Sequence, residues 1–536
     1  MTVRDDHNQL DTIVATGAAG LASAHETGRD AARDAEVTAG VSVGVSAGVT
    51  AGVSAGVTVG VTAEELAAFS RTLGRLRALP PTDHIRLHAE RQLSSFVMES
   101  RKRRRQEARQ TIRDADSELL SATATGGRHR REDAPLAPGG GPVGELRTPR
   151  KCYVCKQAYR QVDGFYHMLC PDCSADNTAR RDLRTDLRGR RALLTGGRVK
   201  IGFQLALMML RDGAELTVTS RFPQDTVRRF RAAEGSEQWW DRLTVVGIDL
   251  RDPRQVLGLT EQFRTEGRPL DILVNNAAQT LRRPPESYAL LAAGEQEALP
   301  AADCRAISHA PGFLPAATHS QLVPGAGSPT GIGGFGGIDS LAEFTGSGGF
   351  EGPGGPGGPG GLSIRTDEAG LLPDLAPANS WSATLGSLDP SEVLEVQLVN
   401  ALAPALLCDR LLPLLLASPH PARYIVNVTA VEGRFAVRNK TSRHPHTNMA
   451  KAALNMLTRT SAAELATRGV HMCAVDTGWI TDENPAPKKA HLAELGFRTP
   501  LDIVDGAARV YDPIVRGEAG HPVSGVFLKD YRVAEW

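Results

Sequence analysis

A chain of 536 residues is longer than one compact domain usually requires, so the sequence predicts two or three folded units joined by linkers. Lysine plus arginine and aspartate plus glutamate number 61 each, and this zero net charge excludes an argument from overall charge for binding nucleic acid or an acidic partner. The first residues lack a basic head followed by an apolar run, and no stretch of about 18 uninterrupted apolar residues occurs. We therefore expect neither a secretory signal nor a membrane span, and a cytoplasmic protein.

The N-terminal third of the chain carries three kinds of segment. Residues 1–62 contain a four-residue repeat (VTAG, VSVG and similar units from Val37 to Thr62), which predicts disordered low-complexity sequence. Residues 63–122 have helical apolar spacing, and residues 123–150 are predicted to form a linker. The basic run Arg101–Arg105 could contact phosphates, but neighbouring acidic residues favour a solvated helix face. We therefore do not expect nucleic acid as a partner.

Two CxxC pairs lie within residues 151–181. Cys152 and Cys155 form the first pair and Cys170 and Cys173 the second, with fourteen residues between the pairs. Four thiolates at this spacing complete a tetrahedral Zn²⁺ site, and they leave no open position for a substrate. The sequence predicts a zinc ribbon with structural zinc, whose β-ribbon is formed by the segment between the pairs.

Six apolar, β-branched runs alternate with helical segments over residues 187–536. The runs are RRALLTGG from Arg190, AELTVTSR from Ala214, DRLTVVGIDL from Asp241, LDILVNNAA from Leu270, ARYIVNVTA from Ala422 and VHMCAVDTG from Val470. Buried strands that alternate with helices predict an α/β fold with a doubly wound parallel sheet, the Rossmann arrangement. A Gly/Pro-rich stretch at about 289–390 interrupts the pattern, and we predict a surface insertion without packed elements there.

A glycine-rich turn follows the first of these runs and opens a helix, as in dinucleotide-binding sites. Its candidate cofactor-binding residues are Thr195, Gly196, Gly197, Arg198, Lys200, Ile201 and Gly202. At the end of the second run, Ser220 precedes Arg221. An acidic residue there would bind the ribose diol, whereas an arginine can pair with a 2′-phosphate, so Arg221 favours NADP(H) over NAD(H).

The chain resembles the short-chain dehydrogenase/reductase family over Leu187–Leu290 and Ser391–Lys529. TGGRVKIG is similar to the family's TGxxxGxG, Asn275-Asn276-Ala277-Ala278 to its NNAG, and the segment with Gly478 and Thr481 to its PG-x-x-T. The resemblance also places Asp249 and Leu250 beside the adenine, and Asn400 and Lys451 at the asparagine and lysine of the catalytic tetrad. It implies an NADP(H)-dependent oxidoreductase that acts on a carbonyl or alcohol, and it allows a homo-oligomer.

Half of the tetrad departs from the family pattern. Thr447 stands for the catalytic tyrosine and Ala430 for the serine, while Lys200 replaces a motif glycine. An aliphatic hydroxyl cannot replace an activated phenol. Thr429 is a candidate for the serine role, and His446, or else His444, is a candidate proton donor because imidazole titrates near neutral pH. The alternative is a non-catalytic NADP(H)-binding sensor or scaffold.

Overall fold

The computed structural model describes residues 60–315, 366–367, 369–437 and 440–536. The predicted low-complexity repeat therefore lies almost entirely outside the described residues, as does the central part of the predicted insertion. Within the described part of the chain, one compact unit ends at Asp114 and another runs from Ala115 to Trp536.

Two helices, α1 (Ala63–Ala78) and α2 (His84–Ser121), occupy the interval in which the sequence predicts helical structure. The Thr62 hydroxyl accepts a hydrogen bond from the Glu65 amide, and the Glu65 carboxylate accepts one from the Thr62 amide, so a capping box fixes the start of α1. Helix α2 has few buried side chains, and the run Arg101–Arg105 is exposed on it.

The cysteine pairs lie in a small module that is built differently from the prediction. Strand β1 (Gly144–Lys151) pairs antiparallel with β2 (Ala158–Val162), and helix α3 (Pro171–Arg181) begins between the two cysteines of the second pair. The β-ribbon thus uses a strand that precedes the first pair, in the interval predicted to be a linker. The sequence of β1 lacks an apolar alternation, and the Asp116 carboxylate holds this strand by accepting from the amides of Arg147 and Thr148.

A nine-stranded sheet forms the centre of the larger unit and confirms the predicted α/β fold. Its strands are β3 (Arg191–Leu194), β4 (Glu215–Ser220), β5 (Leu243–Gly247), β6 (Ile272–Asn275), β7 (Ile307–His309), β8 (Arg423–Thr429), β9 (Val470–Asp476), β10 (Phe527–Lys529) and β11 (Arg532–Ala534). Their order is β11-β10-β9-β8-β6-β3-β4-β5-β7, and every pairing is parallel except that of β10 with β11. The direction of winding reverses between β3 and β6, which is where doubly wound folds bind their ligands.

Helices cover both faces of this sheet. The helices are α4 (Lys200–Arg211), α5 (Pro223–Arg231), α6 (Pro253–Glu266), α7 (Ala289–Gly294), α8 (Ala301–Cys304), α9 (Pro390–Gln397), α10 (Ala403–Leu416), α11 (Pro445–Thr467), α12 (Ala486–Glu494) and α13 (Ile503–Glu518). Leucines, methionines and valines of α4, α5 and α13 fill one face of the sheet, and those of α6, α10 and α11 fill the other. These two cores fix the strand ends that carry the candidate site.

The first part of the predicted insertion is folded, so the prediction of a stretch without packed elements is wrong for residues 289–315. This stretch contains α7, α8 and β7, and β7 extends the sheet by pairing with β5. A strand of three residues leaves no periodic signal in the sequence, and its hydrogen bonds to β5 stabilise it only in the folded sheet. Residues 369–389 precede α9 and include a short 3₁₀ turn, Ser380–Ser382.

Among the residues that the structure describes, one helical stretch, Pro390–Leu416, has the length and mean hydropathy of a membrane-crossing helix, and half of its most apolar 18-residue window is buried inside the fold. Core helices of globular proteins share these properties, so this stretch is weak evidence for a membrane span.

Candidate active site and cysteine centre

The glycine-rich turn lies at the switch point, between the end of β3 and the start of α4. Gly196 has φ 72°, and Lys200, which replaces the second motif glycine, has φ 53°. Lys200 therefore keeps the left-handed backbone that glycine favours, at the cost of some strain. A Cβ atom at Gly202 would lie 2.0 Å from the Gly196 carbonyl oxygen, so this close approach requires glycine.

The Asn275-Asn276-Ala277 segment closes this turn from the neighbouring strand β6. The Asn276 side-chain amide donates to the carbonyl oxygens of Thr195 and Gly196, at 3.0 Å in each case. The Thr195 hydroxyl accepts from the amides of Asn276 and Ala277. Asn275 donates to the side-chain oxygen of Asn427 on β8. The structure thus brings together the sequence-predicted residues of the turn and of the NNAA segment.

Two arginines near the cofactor cleft differ in their partners. Arg198 donates to the Asp225 carboxylate at 2.7 Å and to the Ala369 carbonyl oxygen at 2.8 Å, so its charge is neutralised inside the fold. Arg221 lies over the rings of Phe222 and Tyr288, and within the described residues it has no carboxylate partner. Of these two arginines, Arg221 is the one whose guanidinium has no carboxylate partner among the described residues and could bind an anion at the end of β4.

Four further predicted cofactor residues make contacts within the protein. Asp249 forms an ion pair of 2.6 Å with Arg251, which is buried and also contacts Glu395 at 3.5 Å. Leu250 is buried beside it. The Ser220 hydroxyl accepts from the Phe222 amide and so fixes the turn after β4. Ile201 packs in the core between α4 and α13.

Asn400 lies in a π-helical turn, Leu398–Leu402, between α9 and α10. Its side-chain oxygen accepts from the Gln279 amide at 2.7 Å, and its side-chain nitrogen donates to the Gln279 carbonyl oxygen at 2.9 Å. π-Helical turns occur often at functional sites because they change the direction in which a helix presents its side chains. Asn400 thus fixes the segment that leaves β6 beside the cleft.

Lys451 is buried on α11 and contacts the end of β8. Its Nζ donates to the Val428 carbonyl oxygen at 2.9 Å. Burial lowers the pKa of Lys451 to about 8, although the charge of Glu432 opposes this shift. Thr447 lies one turn earlier, and its buried hydroxyl has no hydrogen-bond partner in the described part of the chain. The Thr429 hydroxyl contacts the Lys451 carbonyl oxygen at 3.4 Å, on the helix side of the strand.

The structure does not place His446 on the helix face of Lys451. Helix α11 begins at Pro445, so His446 is in the first turn and, five positions before Lys451, points about 140° away from it. Its Nε2 lies 3.9 Å from a carboxylate oxygen of Glu392, and burial lowers its pKa. His444 stacks on Trp381 with ring centroids 4.1 Å apart, and burial lowers its pKa to about 4.

Glu432 is a candidate that the sequence analysis missed. It lies in a 3₁₀ turn, Val431–Gly433, directly after β8. Burial raises the pKa of Glu432, and the Asp476 carboxylate adds to this rise, whereas Lys451 opposes it. A carboxyl group with a raised pKa next to a lysine with a lowered pKa is a pattern of acid–base sites. The TAVEG sequence gives no sign of this, because the proximity to Lys451 and Asp476 exists only in the folded chain.

The segment after β9 closes the cleft from the other side. Gly478 has φ 83°, and the Thr481 hydroxyl donates to the Glu483 carboxylate at 2.8 Å. Burial alone would raise the pKa of Glu483, but the charges of Lys200 and Lys489 lower it overall. A cavity of about 280 Å³ lies here, and Lys200, Thr481 and Lys489 are among the residues that line it.

The four predicted metal ligands come together in the structure. The sulfur atoms of Cys152, Cys155, Cys170 and Cys173 all lie within 4.8 Å of one another, and those of Cys155 and Cys170 are 3.6 Å apart. Zn–S bonds of about 2.3 Å place the sulfurs of a tetrahedral site about 3.8 Å apart, so the cluster fits such an ion. His167 is not a member of the cluster, because its ring contacts the Thr125 hydroxyl at 2.8 Å.

Two family models match the α/β region of the chain. The model described as short chain dehydrogenase matches residues 190–293, and the model described as Enoyl-(Acyl carrier protein) reductase matches residues 369–500. The two matches lie on either side of residues 294–368, and they contain the glycine-rich turn, the NNAA segment, Asn400 and Lys451.

Several known proteins are similar to this chain. An uncharacterized protein of Acanthamoeba polyphaga mimivirus is 27% identical over 378 residues, which is 68% of this chain and 71% of that protein. The peroxisomal 2,4-dienoyl-CoA reductase of Rattus norvegicus is 29% identical over 117 residues, or 21% of this chain and 34% of that enzyme. A probable oxidoreductase of Streptomyces antibioticus is 39% identical over 95 residues, or 17% of this chain and 30% of that protein.

Solved structures are also similar. The Pseudomonas aeruginosa RhlG/NADP complex has a TM-score of 0.38 and 18% identity, over 64% of this chain and 95% of that one. An NADPH-bound carbonyl reductase from chicken fatty liver has a TM-score of 0.37 and 16% identity, over 66% of this chain and 100% of that one. The two family-model matches show that residues 190–293 and 369–500 of this chain are similar to short-chain dehydrogenases and to enoyl-(acyl carrier protein) reductases.

Proposed function

We propose that the protein is an NADP(H)-dependent oxidoreductase that acts on a carbonyl or alcohol group. The observation that carries the choice of cofactor is Arg221, a guanidinium at the end of β4 that lies over two aromatic rings and has no carboxylate partner in the described residues. A planar guanidinium in this place matches a 2′-phosphate, whereas NAD(H) would leave its charge without a partner. The residues of the glycine-rich turn and Asn276 provide the close backbone approach that a pyrophosphate requires.

NADPH, when bound, supplies the hydride. The chain must then orient the cofactor and provide a proton at the substrate oxygen. Lys451, buried with a pKa of about 8, is positioned at the end of β8 to bind a ribose hydroxyl and to favour proton transfer near neutral pH. Asn400 holds the backbone at Gln279 and keeps the segment after β6 in place. Because Thr447 cannot act as an acid, we assign the proton-donor role to Glu432, whose turn packs against Lys451: a Cβ atom at Gly433 would lie 2.7 Å from the Lys451 backbone.

We also propose that the cysteine cluster binds a structural zinc ion. Four sulfurs at tetrahedral spacing fit Zn²⁺, and an ion with four thiolates has no position for a substrate. We place the protein in the cytoplasm, where reduced thiols are available for metal binding. The non-catalytic sensor remains the alternative, but relatives whose names describe oxidoreductases do not favour it.

The test of the enzyme proposal combines NADPH binding with a broad screen of carbonyl substrates. We expect binding and turnover in the purified full chain, and a decrease in turnover of at least about tenfold in Glu432→Gln together with a changed pH–rate profile. Thr447→Tyr combined with Ala430→Ser restores the family's acid and should raise turnover. Tight NADPH binding without turnover in the wild type and without any gain in this double variant would support the sensor instead.

A further inference from the structure

The cysteine module contacts the segment after β9 through Tyr153, which lies between the cysteines of the first pair. The Tyr153 hydroxyl accepts a hydrogen bond from the Trp479 amide at 3.0 Å. Trp479 directly follows Gly478, and a Cβ atom at Gly478 would lie only 3.6 Å from the Tyr153 hydroxyl oxygen. One side chain of the module thus holds the backbone of the segment that closes the cofactor cleft.

The backbone around the cysteines fixes the position of Tyr153. The Tyr153 amide donates to the Met168 carbonyl oxygen at 2.8 Å, and the Cys152 amide donates to the Gln157 carbonyl oxygen at 2.8 Å. The Cys170 amide donates to the Cys152 sulfur at 3.3 Å, which joins the two cysteine pairs. An ion bound by all four sulfurs would therefore lock the turn from which Tyr153 projects.

The same region shares its hydrophobic core with the α/β part of the unit. The four cysteines, Tyr153 and Tyr166 pack with Ile480, Leu501 and Ile503 in one cluster, with Cys155 at its partly buried edge. Polar contacts reinforce this packing: the Tyr166 hydroxyl donates to Asp505 at 2.6 Å, and Arg181 pairs with Asp502 at 2.6 Å. These two aspartates form the capping box at the start of α13. Residues 479–480 and 501–505 therefore rest on the cysteine module.

We propose that Tyr153 is a positioning residue for the cofactor-binding segment Asp476–Thr481, and that a metal ion in the cysteine cluster thereby raises the affinity for NADP(H). The inference rests on the proposed cofactor site. Metal loss frees the turn that carries Tyr153, the Trp479 amide loses its acceptor, and Gly478 and Thr481 lose their fixed backbone. By thermodynamic linkage, NADPH must strengthen metal binding by the same factor by which the metal strengthens NADPH binding.

The experiment compares Tyr153→Phe with Tyr159→Phe in the full chain loaded with Zn²⁺. Tyr153→Phe removes only the hydroxyl that accepts from Trp479. Tyr159→Phe is the matched control, because its hydroxyl is also buried in the module but donates to the His167 carbonyl oxygen at 2.7 Å, away from the cofactor segment. The measurements are the NADPH dissociation constant by fluorescence and hydrogen–deuterium exchange of the peptide that contains Trp479.

We expect NADPH affinity to fall about fivefold in Tyr153→Phe, the effect of one lost hydrogen bond, with faster exchange at Trp479. Tyr159→Phe should change the NADPH dissociation constant and the exchange rate at Trp479 by no more than about twofold, because its hydroxyl does not contact the cofactor segment. Removal of Zn²⁺ by a chelator should weaken NADPH binding more in the wild type than in Tyr153→Phe, because the variant has already lost the hydrogen bond between the Tyr153 hydroxyl and the Trp479 amide.

The outcomes separate this inference from the proposed function. A wild type that does not bind NADPH would refute the proposed function, whereas the exchange at Trp479 would still report whether the metal holds the segment. NADPH binding that is equal in the wild type, in Tyr153→Phe and in the chelator-treated protein would overturn the inference alone. An equal loss in Tyr159→Phe would overturn it as well, because the effect would then be general destabilisation of the module.

Discussion

The cysteine module and the nucleotide cleft differ in how their chemical groups are distributed along the chain. The four sulfurs of the module come from 22 residues, Cys152 to Cys173, and all four are present. The cleft takes its groups from the ends of several strands between Thr195 and Thr481, and its acid–base part is substituted at Ala430 and Thr447. The sequence of one short segment is therefore enough to show that all four metal ligands are present. For a site assembled from distant strands, the sequence shows which family residues are replaced but does not show which groups take their place.

The difference also concerns what each region requires to work. To bind a metal ion, the module needs its four cysteine sulfurs and a fold that holds these sulfurs close together. The cleft needs a nucleotide, a proton donor and a rigid closing segment, and the last of these rests on the module through the core shared with Ile480, Leu501 and Ile503. If the two regions differ in chemistry but share their stability, substitutions in the module should affect metal content and melting, whereas substitutions in the cleft should affect turnover and nucleotide affinity.

The largest effect is expected at the module. Cys155→Ser should release the bound zinc, measured as a fall from one metal per chain to none by elemental analysis, because three thiolates hold Zn²⁺ far more weakly than four. Because the cysteines share a hydrophobic core with the α/β part, Cys155→Ser should also lower the melting temperature of the larger unit. Cys304→Ser is the control, since Cys304 is exposed and outside the cluster. Wild-type protein purified without chelator and found free of zinc would contradict the structural-zinc proposal.

The next effect concerns turnover in the cleft. Lys451→Met should reduce carbonyl turnover by about a thousandfold, or ~4 kcal/mol in the activation barrier, because it removes the cation that supports proton transfer. Lys488→Met on α12 is a suitable control for the loss of a positive charge. Unchanged turnover in Lys451→Met would show that the family's catalytic arrangement is not used here.

The same lysine predicts a pH dependence of stability. Its pKa is about 8 in the folded chain and 10.5 in the unfolded chain, so between these values the unfolded state binds more protons. The free energy of unfolding of the wild type, relative to Lys451→Met, should therefore rise by about 3 kcal/mol as the pH increases from 8 to 10.5. Denaturant titrations at several pH values measure this. A flat difference would mean that Lys451 is not desolvated.

The smallest effect is expected for cofactor choice. Arg221→Asp removes the partner of a 2′-phosphate and adds repulsion, so NADPH affinity should fall by about 2 kcal/mol while NADH affinity changes little. Fluorescence titrations with both nucleotides provide the measurement. Equal losses for both would indicate that the stacking of Arg221 on Phe222 and Tyr288 is structural.

The sequence by itself determined the features that repeat or lie close together. The alternation of apolar runs and helices predicted the doubly wound sheet, and all six predicted strands are present, because burial on both faces selects continuous β-branched runs. The spacing of the cysteines likewise predicted a cluster that the structure contains. Strands β7, β10 and β11 were not predicted, since three residues carry no periodic signal and depend on neighbouring strands for their hydrogen bonds.

Only the tertiary structure decided which candidate groups face one another. His446 is adjacent to Thr447 in sequence, but a helix turns by about 100° per residue, so its ring contacts Glu392 rather than sharing the face of Lys451. Glu432 and Tyr153 gave no signal in the sequence, because the electrostatic interaction of Glu432 with Lys451 and the hydrogen bond of Tyr153 to Trp479 form only in the folded chain. Such contacts join residues far apart in the chain, and the packing of the sheet and its helices creates them.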